Sequence, residues 1–357
     1  MKLVVVFLGK RGAGVRFVEI FQSYGTNYIN GQIDFVISKR CSKEFPEIAE
    51  KSYVVKTFEN WRYLALSPLI VINQLYVFFN SFKCQQTKFL FLMPSPSDYF
   101  IIRILSLLKC DLFFIIHDLQ KHSGEKWPTK RAIGLRLKLA KKIFTLSQHT
   151  EKSLDVASRK KNLSIAHPIF PIKLEKSPSN EVEISTEYIL CIGRIREYKG
   201  IDDLVKAHSL IVDAPLLVIA GEGKIEKTKS AKVQLINRWL KDEEVDFLIA
   251  HASFVVFPYR DATQSGLIPT CRLFNKPLIV SDSGALTEQA RDSSQLGVFR
   301  AGDIWSLRDQ IQILMMSSKA EKSPRLVPKT SELTQNSIES SKKFVKQVVD
   351  TVFNSSD

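Results

Sequence analysis

Short apolar runs alternate along the chain with longer amphipathic segments, joined by small polar turns. The runs Leu3–Leu8, Gln32–Ser38, Ser52–Phe58, Lys88–Met93, Asp111–Ile116, Ile143–Leu146 and Leu163–Ala166 read as strands. Several are apolar throughout, the pattern of strands covered on both faces in a parallel sheet. Between them, Val15–Tyr24, Leu66–Phe82, Phe100–Leu108 and Thr129–Lys142 carry helical periodicity. Pro68 falls in the first turn of the second of these, whose apolar residues are expected to pack on the sheet. A second series follows, with strands at Tyr188–Ile192, Leu216–Ala220, Val233–Leu235, Phe254–Phe257, Pro277–Val280 and around Val298. Helices are expected after Gly200, over Asp242–Ala252, after Gly266, over Ile304–Met316 and over Ser337–Phe353, with a loop at 318–332. Strands alternating with helices twice over predict an α/β protein of two doubly wound, Rossmann-like domains. The polar, proline-bearing stretch 171–186 marks the boundary. The expected division is 1–172, 173–335 and a terminal helix within 336–357 that is a candidate to cross back onto the first domain.

The length of 357 residues suits two such domains. No apolar run reaches the length of a membrane span, and Leu3–Leu8 leads into a glycine turn without a cleavage site, so it reads as a first strand and not a leader. The five cysteines are scattered without a CxxC pair, which favours reduced thiols in a cytoplasmic protein. The net charge of +14 is uneven: residues 1–178 hold 28 basic and 13 acidic side chains, or +15, leaving the remainder near neutral. A basic first half implies an anionic partner. Aromatics are not interleaved with the basic residues and no nucleic-acid-binding pattern appears, so a membrane surface ranks above nucleic acid. Residues 130–142 combine Lys130, Arg131, Arg136, Lys138, Lys141 and Lys142 with Ile133, Leu135, Leu137 and Leu139. Such a segment can dock on anionic lipid or pack on the sheet with a solvated basic face.

The turns carry the candidate chemistry. Gly12 and Gly14 follow the first strand in a tight loop that opens a helix, as in a nucleotide-binding domain. His117 and Asp118 stand at the carboxyl end of the strand 111–116, the end that faces the ligand crevice in open α/β sheets. The following loop, with His122 and Gly124, is polar and long enough for a substrate loop. In the second half a strand ends at Gly193, and Arg194 and Lys199 lie in the next turn before Gly200. Thr263, Gln264, Ser265 and Gly266 form a small turn between the strand at 254–257 and a helix. Backbone N–H groups and a helix dipole at such a turn suit a phosphate, and Arg with Lys suits a diphosphate. The alternative for 263–266 is an ordinary connection with Thr263 or Ser265 as N-cap.

The turn GRIREYKG, the strand and turn LLVIAGEG, and the segments VFPYRDATQSG and KPLIVSDSGALTE resemble, in order and spacing, the donor domain of retaining GT-B glycosyltransferases of the family 4 type (group 1), in a TQSG-containing branch. The N-terminal glycine loop and His117-Asp118 resemble that family's first domain. The resemblance implies two domains facing a central cleft and a sugar moved from a nucleotide-sugar donor to a glycan or lipid-linked acceptor in cell-surface polysaccharide synthesis. It implies Arg194 and Lys199 on the donor diphosphate, and backbone from Thr263, Gln264, Ser265 and Gly266 toward the phosphates. Gly12 and Gly14 would lie over the diphosphate, His117 would touch the donor sugar, and Glu222 matches a donor-binding position. The family's E-x7-E glutamates are replaced, with Ala262 or Thr263 at the first position and Thr270 at the second. No Asp-x-Asp pair is present, so neither metal nor cofactor is expected beyond the nucleotide sugar. Attack from the front face, with the diphosphate taking the acceptor's proton, would retain configuration. The expected location is cytoplasmic, peripheral on the inner face of the plasma membrane. Two other readings share the architecture: a catalytically silent nucleotide- or glycan-binding scaffold, and a sugar-nucleotide epimerase.

Overall fold

The structure, a computed structural model, describes the chain apart from residues 1, 30, 58–66, 83–85, 124–127, 175–186, 226–230, 321–328 and 355–357. The expected linker at 171–186, much of the loop at 119–128 and the loop at 318–332 therefore lie partly outside the described residues. The chain forms two compact units: Met1–Lys121, Glu125–Ala166 and Ser341–Asp357 in one, His122–Gly124 and His167–Ser340 in the other.

Unit 1 is built on seven parallel strands, β1 (Lys2–Phe7), β2 (Gln32–Ser38), β3 (Tyr53–Val55), β4 (Thr87–Phe91), β5 (Asp111–Ile116), β6 (Lys142–Thr145) and β7 (Asn162–Ser164), in the order β3-β2-β1-β4-β5-β6-β7. Its helices are α1 (Ala13–Tyr24), α2 (Lys39–Glu44), α3 (Pro46–Ala49), α4 (Ser67–Ser81), α5 (Asp98–Leu107), α6 (Lys130–Leu139), α7 (Gln148–Lys152) and α8 (Val156–Lys160). Val4, Val6, Phe89, Phe91, Leu112 and Phe114 project from one sheet face into a core shared with Phe78 of α4, Ile101, Ile102 and Leu105 of α5, and Leu135 and Leu139 of α6. Alternate residues face the other side, as the two-residue strand period requires. There α1 contributes Phe17 and Phe21, whose rings meet Phe344 of the terminal helix at 5.3 and 6.3 Å.

Unit 2 holds six parallel strands, β8 (Tyr188–Ile192), β9 (Leu216–Ala220), β10 (Val233–Ile236), β11 (Phe254–Phe257), β12 (Leu278–Ser281) and β13 (Leu296–Phe299), ordered β10-β9-β8-β11-β12-β13. The remaining helices are α9 (Ile201–Ser209), α10 (Asp242–His251), α11 (Ile268–Leu273), α12 (Leu286–Ala290), α13 (Ile304–Ala320) and α14 (Thr330–Asn354). Both sheets are doubly wound: chain order reverses between β1 and β4 in one and between β8 and β11 in the other.

Four expectations need correction. The helix expected over 129–142 ends at Leu139, and Lys142 already belongs to β6; Ala140 adopts an extended backbone, which closes the helix. The loop expected at 318–332 is narrower, because α13 runs to Ala320 and α14 starts at Thr330. The apolar residues of the 66–82 helix do not all pack inward: Leu69, Ile72, Tyr76 and Phe79 are exposed. Cys110 is disulfide-bonded, against the expectation of reduced thiols throughout, whereas Cys41, Cys191 and Cys271 are free and buried.

Candidate functional site

In doubly wound sheets ligands bind beyond the carboxyl ends of the strands, where the strand order reverses. The topology brings the candidate residues of each unit to that end. In unit 1 the loop after β1 carries Gly12, which has φ 95°, a region L side chains rarely adopt. Two side chains hold this loop from neighbouring strands: Ser38 donates to the Gly9 carbonyl at 2.6 Å and Ser95 to the Leu8 carbonyl at 3.3 Å. Arg11 binds Glu44 through two bonds of 2.6 and 3.0 Å, and Lys10 reaches the same carboxylate at 2.9 Å. The Arg11 bonds, then the Lys10 bond, lower the Glu44 pKa to about 2.

The loop after β4 rests on a buried ion pair. Asp98 at the start of α5 accepts from the Ser95 N–H at 2.8 Å and from the Arg136 guanidinium. Both charged side chains are almost wholly buried. Arg136, expected as part of a solvated basic face, is thus an internal strut. His117, at the end of β5, is also buried. Its Nε2 lies 3.1 Å from the Leu92 carbonyl, and its ring meets Phe17 edge-on at 5.3 Å. Donation to a carbonyl places a proton on Nε2. Burial lowers the His117 pKa below the ordinary 6.5, with Asp118 opposing. A neutral ring with Nε2 committed can orient a ligand but is poorly set to act as a cationic acid.

In unit 2 the turns after β8 and β11 are fastened to each other. Gly200 is left-handed at φ 62°, and a Cβ there would stand 2.0 Å from the Pro258 carbonyl oxygen. The Tyr198 carbonyl accepts from the Arg260 N–H at 2.8 Å, and the Arg260 side chain forks onto Asp203 with two bonds of 2.6 Å. Lys199 therefore has a fixed base. Its Nζ donates to the Tyr259 hydroxyl at 2.8 Å and stands 4.4 Å from that ring's centroid. The Tyr259 oxygen is in turn 3.4 Å from Ser265 Oγ. Burial pushes the Tyr259 pKa up, so the phenol stays neutral and accepts from the ammonium. Arg194 is exposed two residues beyond β8.

The turn at Thr263, Gln264, Ser265 and Gly266 differs in detail from both sequence readings. Neither Thr263 nor Ser265 caps α11; its N-cap is Leu267, without a side-chain bond. The Ser265 N–H is already taken by Gln289 Oε1 at 2.8 Å, so that donor is not pointed at a ligand. The Thr263 carbonyl accepts from the Ala285 N–H at 3.2 Å. A Cβ on Gly266 would lie 3.2 Å from Nε2 of the buried His167. Glu222 sits after β9 with its side chain exposed, and its carbonyl accepts from the Ile195 N–H at 3.0 Å. Thr270, at the second position where the family carries glutamate, is buried in α11.

Four residues went unassigned in the sequence. Tyr259 and Gln289 hold the turns just described, and His167 stands close against Gly266. His122 stacks on Tyr198 at 4.4 Å and 16° and places Nδ1 3.0 Å from Asp261 Oδ2. Tyr259 had one legible signal: it stands just past the carboxyl end of a buried strand. The other three depend on contacts across 24 to 139 positions of sequence, which no local pattern encodes. Among the described residues no group of three or more His, Cys, Asp or Glu is placed to hold a metal ion.

Residues 186–317 match the family model of the glycosyl transferases group 1. No curated protein sequence matches the chain. Among solved structures, HepE of Anabaena, crystallised with UDP and glucose, superposes with a TM-score of 0.72 at 13% identity, with 100% of both chains covered. Sucrose-phosphate synthase of Thermosynechococcus elongatus gives 0.67 at 12% identity, again with 100% of both covered. The UDP-GlcNAc 2-epimerase of Neisseria meningitidis, bound to UDP-GlcNAc, gives 0.61 at 12% identity over 99% of this chain and 100% of that one. The fold is GT-B, two Rossmann-like α/β domains.

Proposed function

We propose that the chain, whose residues 186–317 carry the group 1 glycosyl transferase match, moves a sugar from a nucleotide-sugar donor to a glycan or lipid-linked acceptor with retention of configuration. The observation that carries this reading is the pair of turns at the strand-order reversal of unit 2. Lys199, the last residue of the 3₁₀ turn Glu197–Lys199, is held there by Tyr259, whose hydroxyl also lies near Ser265 Oγ. Arg194 and Lys199 meet the donor diphosphate, Gly266 with Thr263 and Gln264 approaches the phosphates, and Glu222 contacts the donor. Gly12 and Gly14 present backbone to the diphosphate, and His117 orients the sugar. As the anomeric carbon–oxygen bond breaks, charge grows on the diphosphate, and fixed cations stabilise it without a metal. The acceptor oxygen bonds to the anomeric carbon from the same face, and its proton passes to the departing diphosphate oxygen. HepE, solved with UDP-glucose, supports a uridine diphosphate sugar as donor.

The acceptor class and a role in cell-surface polysaccharide synthesis at the cytoplasmic face of the membrane are part of the same proposal. Exposed Lys130, Arg131 and Lys138 supply cationic surface for peripheral attachment. Among the described residues no helix is long and apolar enough to cross a membrane.

The test is a thermal-shift screen of nucleoside diphosphates and sugar nucleotides, followed by turnover. Arg194→Ala and Lys199→Ala should each lower kcat/KM by about 2–4 kcal/mol, roughly 30- to 1000-fold. Unchanged turnover in both variants refutes the diphosphate assignment. Epimer formation from the donor without acceptor would instead select the epimerase reading.

A further inference from the structure

We infer that the outer face of the α4–α5–α6 layer is a docking surface for an anionic lipid bilayer, with the apolar stripe of α4 as its inserting element. On α4, Leu69, Ile72, Tyr76 and Phe79 are 65%, 59%, 68% and 49% exposed. Their spacing of three, four and three residues puts them on one helical stripe. The opposite stripe is spent on the core, where Phe78 is buried and Gln74 is fastened to the Lys56 carbonyl. The helix is thus apolar on both sides, and only one side has a protein partner among the described residues. Contiguous exposed apolar surface of this kind marks an interaction site. It continues onto α5, which packs beside α4 and exposes Phe100, Leu107 and Leu108. It also continues onto the edge strand β3, where Tyr53, on the same sheet face as Val55, is exposed.

Charge identifies the occupant. Across α4, α5 and α6 the sequence holds one acidic residue, Asp98, and it is buried against Arg136. Among the described residues the exposed charges on the layer itself are cationic, namely Arg103, Lys109, Lys130, Arg131 and Lys138, whereas the segment before β3 exposes Glu47 and Glu50 together with Lys51. Apolar and basic side chains on one face, with no exposed carboxylate on its three helices, fit the acyl boundary and headgroups of an anionic bilayer. A second copy of the chain would set these cations against each other. The four apolar residues of α6 named in the sequence do not supply the insertion, because Ile133 is buried and Leu135, Leu137 and Leu139 pack on the core. The α6 face contributes charge and α4 contributes depth. This inference rests on the membrane attachment proposed above and deepens it, but is independent of the nucleotide-sugar reading, since it would hold for a scaffold as well.

The experiment uses the full chain with vesicles of phosphatidylcholine alone or mixed with phosphatidylglycerol. Wild type should float with the mixed vesicles and about tenfold less with the neutral ones. Ile72→Trp should show a blue-shifted emission with the mixed vesicles and quenching by brominated acyl chains. The variant Ile72→Ser/Tyr76→Ser/Phe79→Ser should lose about tenfold in binding with its melting temperature nearly unchanged, because these side chains are exposed. Lys130→Glu/Arg131→Glu/Lys138→Glu should lose binding and its salt dependence. Three results overturn the inference: no wild-type binding to anionic vesicles, binding with no spectral change at Ile72→Trp, or a wild-type dimer by sedimentation that the serine variant abolishes. Loss of nucleotide binding with vesicle binding intact would strike the donor reading alone.

Discussion

Replacing Tyr259 by Phe removes one oxygen and leaves the ring. The lost groups are the acceptor of the Lys199 bond at 2.8 Å and the neighbour of Ser265 Oγ at 3.4 Å. What stays is the ring beneath the ammonium at 4.4 Å and the edge contacts with Phe257 and Tyr198. A hydrogen bond to a charged group is worth about 1.5–3 kcal/mol when its partners are dry. Lys199 is only partly buried, so water recovers part of this and the expected stability loss is about 1 kcal/mol. The larger effect should fall on nucleotide binding, because the ammonium loses the group that fixes its position. A loss of about 1 kcal/mol there weakens UDP binding roughly fivefold. Calorimetric titration of UDP into wild type, Tyr259→Phe, Lys199→Met and the double variant gives the coupling directly. The cycle should return about 1 kcal/mol, since the tyrosine has nothing to position once the lysine is gone. Urea denaturation of the same proteins separates affinity from stability. Equal UDP affinity in wild type and Tyr259→Phe, or a coupling near zero, refutes the positioning argument even if stability falls as expected.

Arg136→Met should cost about 3–5 kcal/mol in urea denaturation, because it leaves the buried Asp98 carboxylate without its cation. A loss below roughly 1 kcal/mol would show that the pair is not the strut of the β4 loop. Gly200→Ala forces a Cβ to 2.0 Å from the Pro258 oxygen at φ 62°; it should destabilise by about 1–3 kcal/mol and weaken UDP binding by moving the Lys199 turn. The pH dependence has a defined sign. Burial lowers the pKa of His117, and also of His208, below the ordinary 6.5. Below pH 6.5 the unfolded chain binds protons that the folded chain refuses, so stability should fall as pH drops from 6.5 toward the depressed folded values. Melting scans from pH 7.5 to 5.0 should show a shallower fall for His117→Asn than for wild type; parallel curves would mean His117 takes no part.

The sequence determined the architecture because the signals for it are local. A strand buried on both faces must be apolar throughout, and a glycine at a left-handed turn has no ready substitute, so β5, β11 and the Gly200 turn are written in consecutive residues. Arg194, Lys199 and the 263–266 turn were legible for the same reason, as polar groups following apolar strands. What each group does there was decided by the fold. The N–H of Ser265 looked available until Gln289, 24 residues away, was brought onto it. Arg136 looked solvated until it met Asp98, 38 residues away. The side of α4 left uncovered was likewise invisible, because a helix apolar all round does not say which face its sheet takes. Side-chain partners across strand crossovers depend on register and layer packing, and these exist only once both sheets have formed.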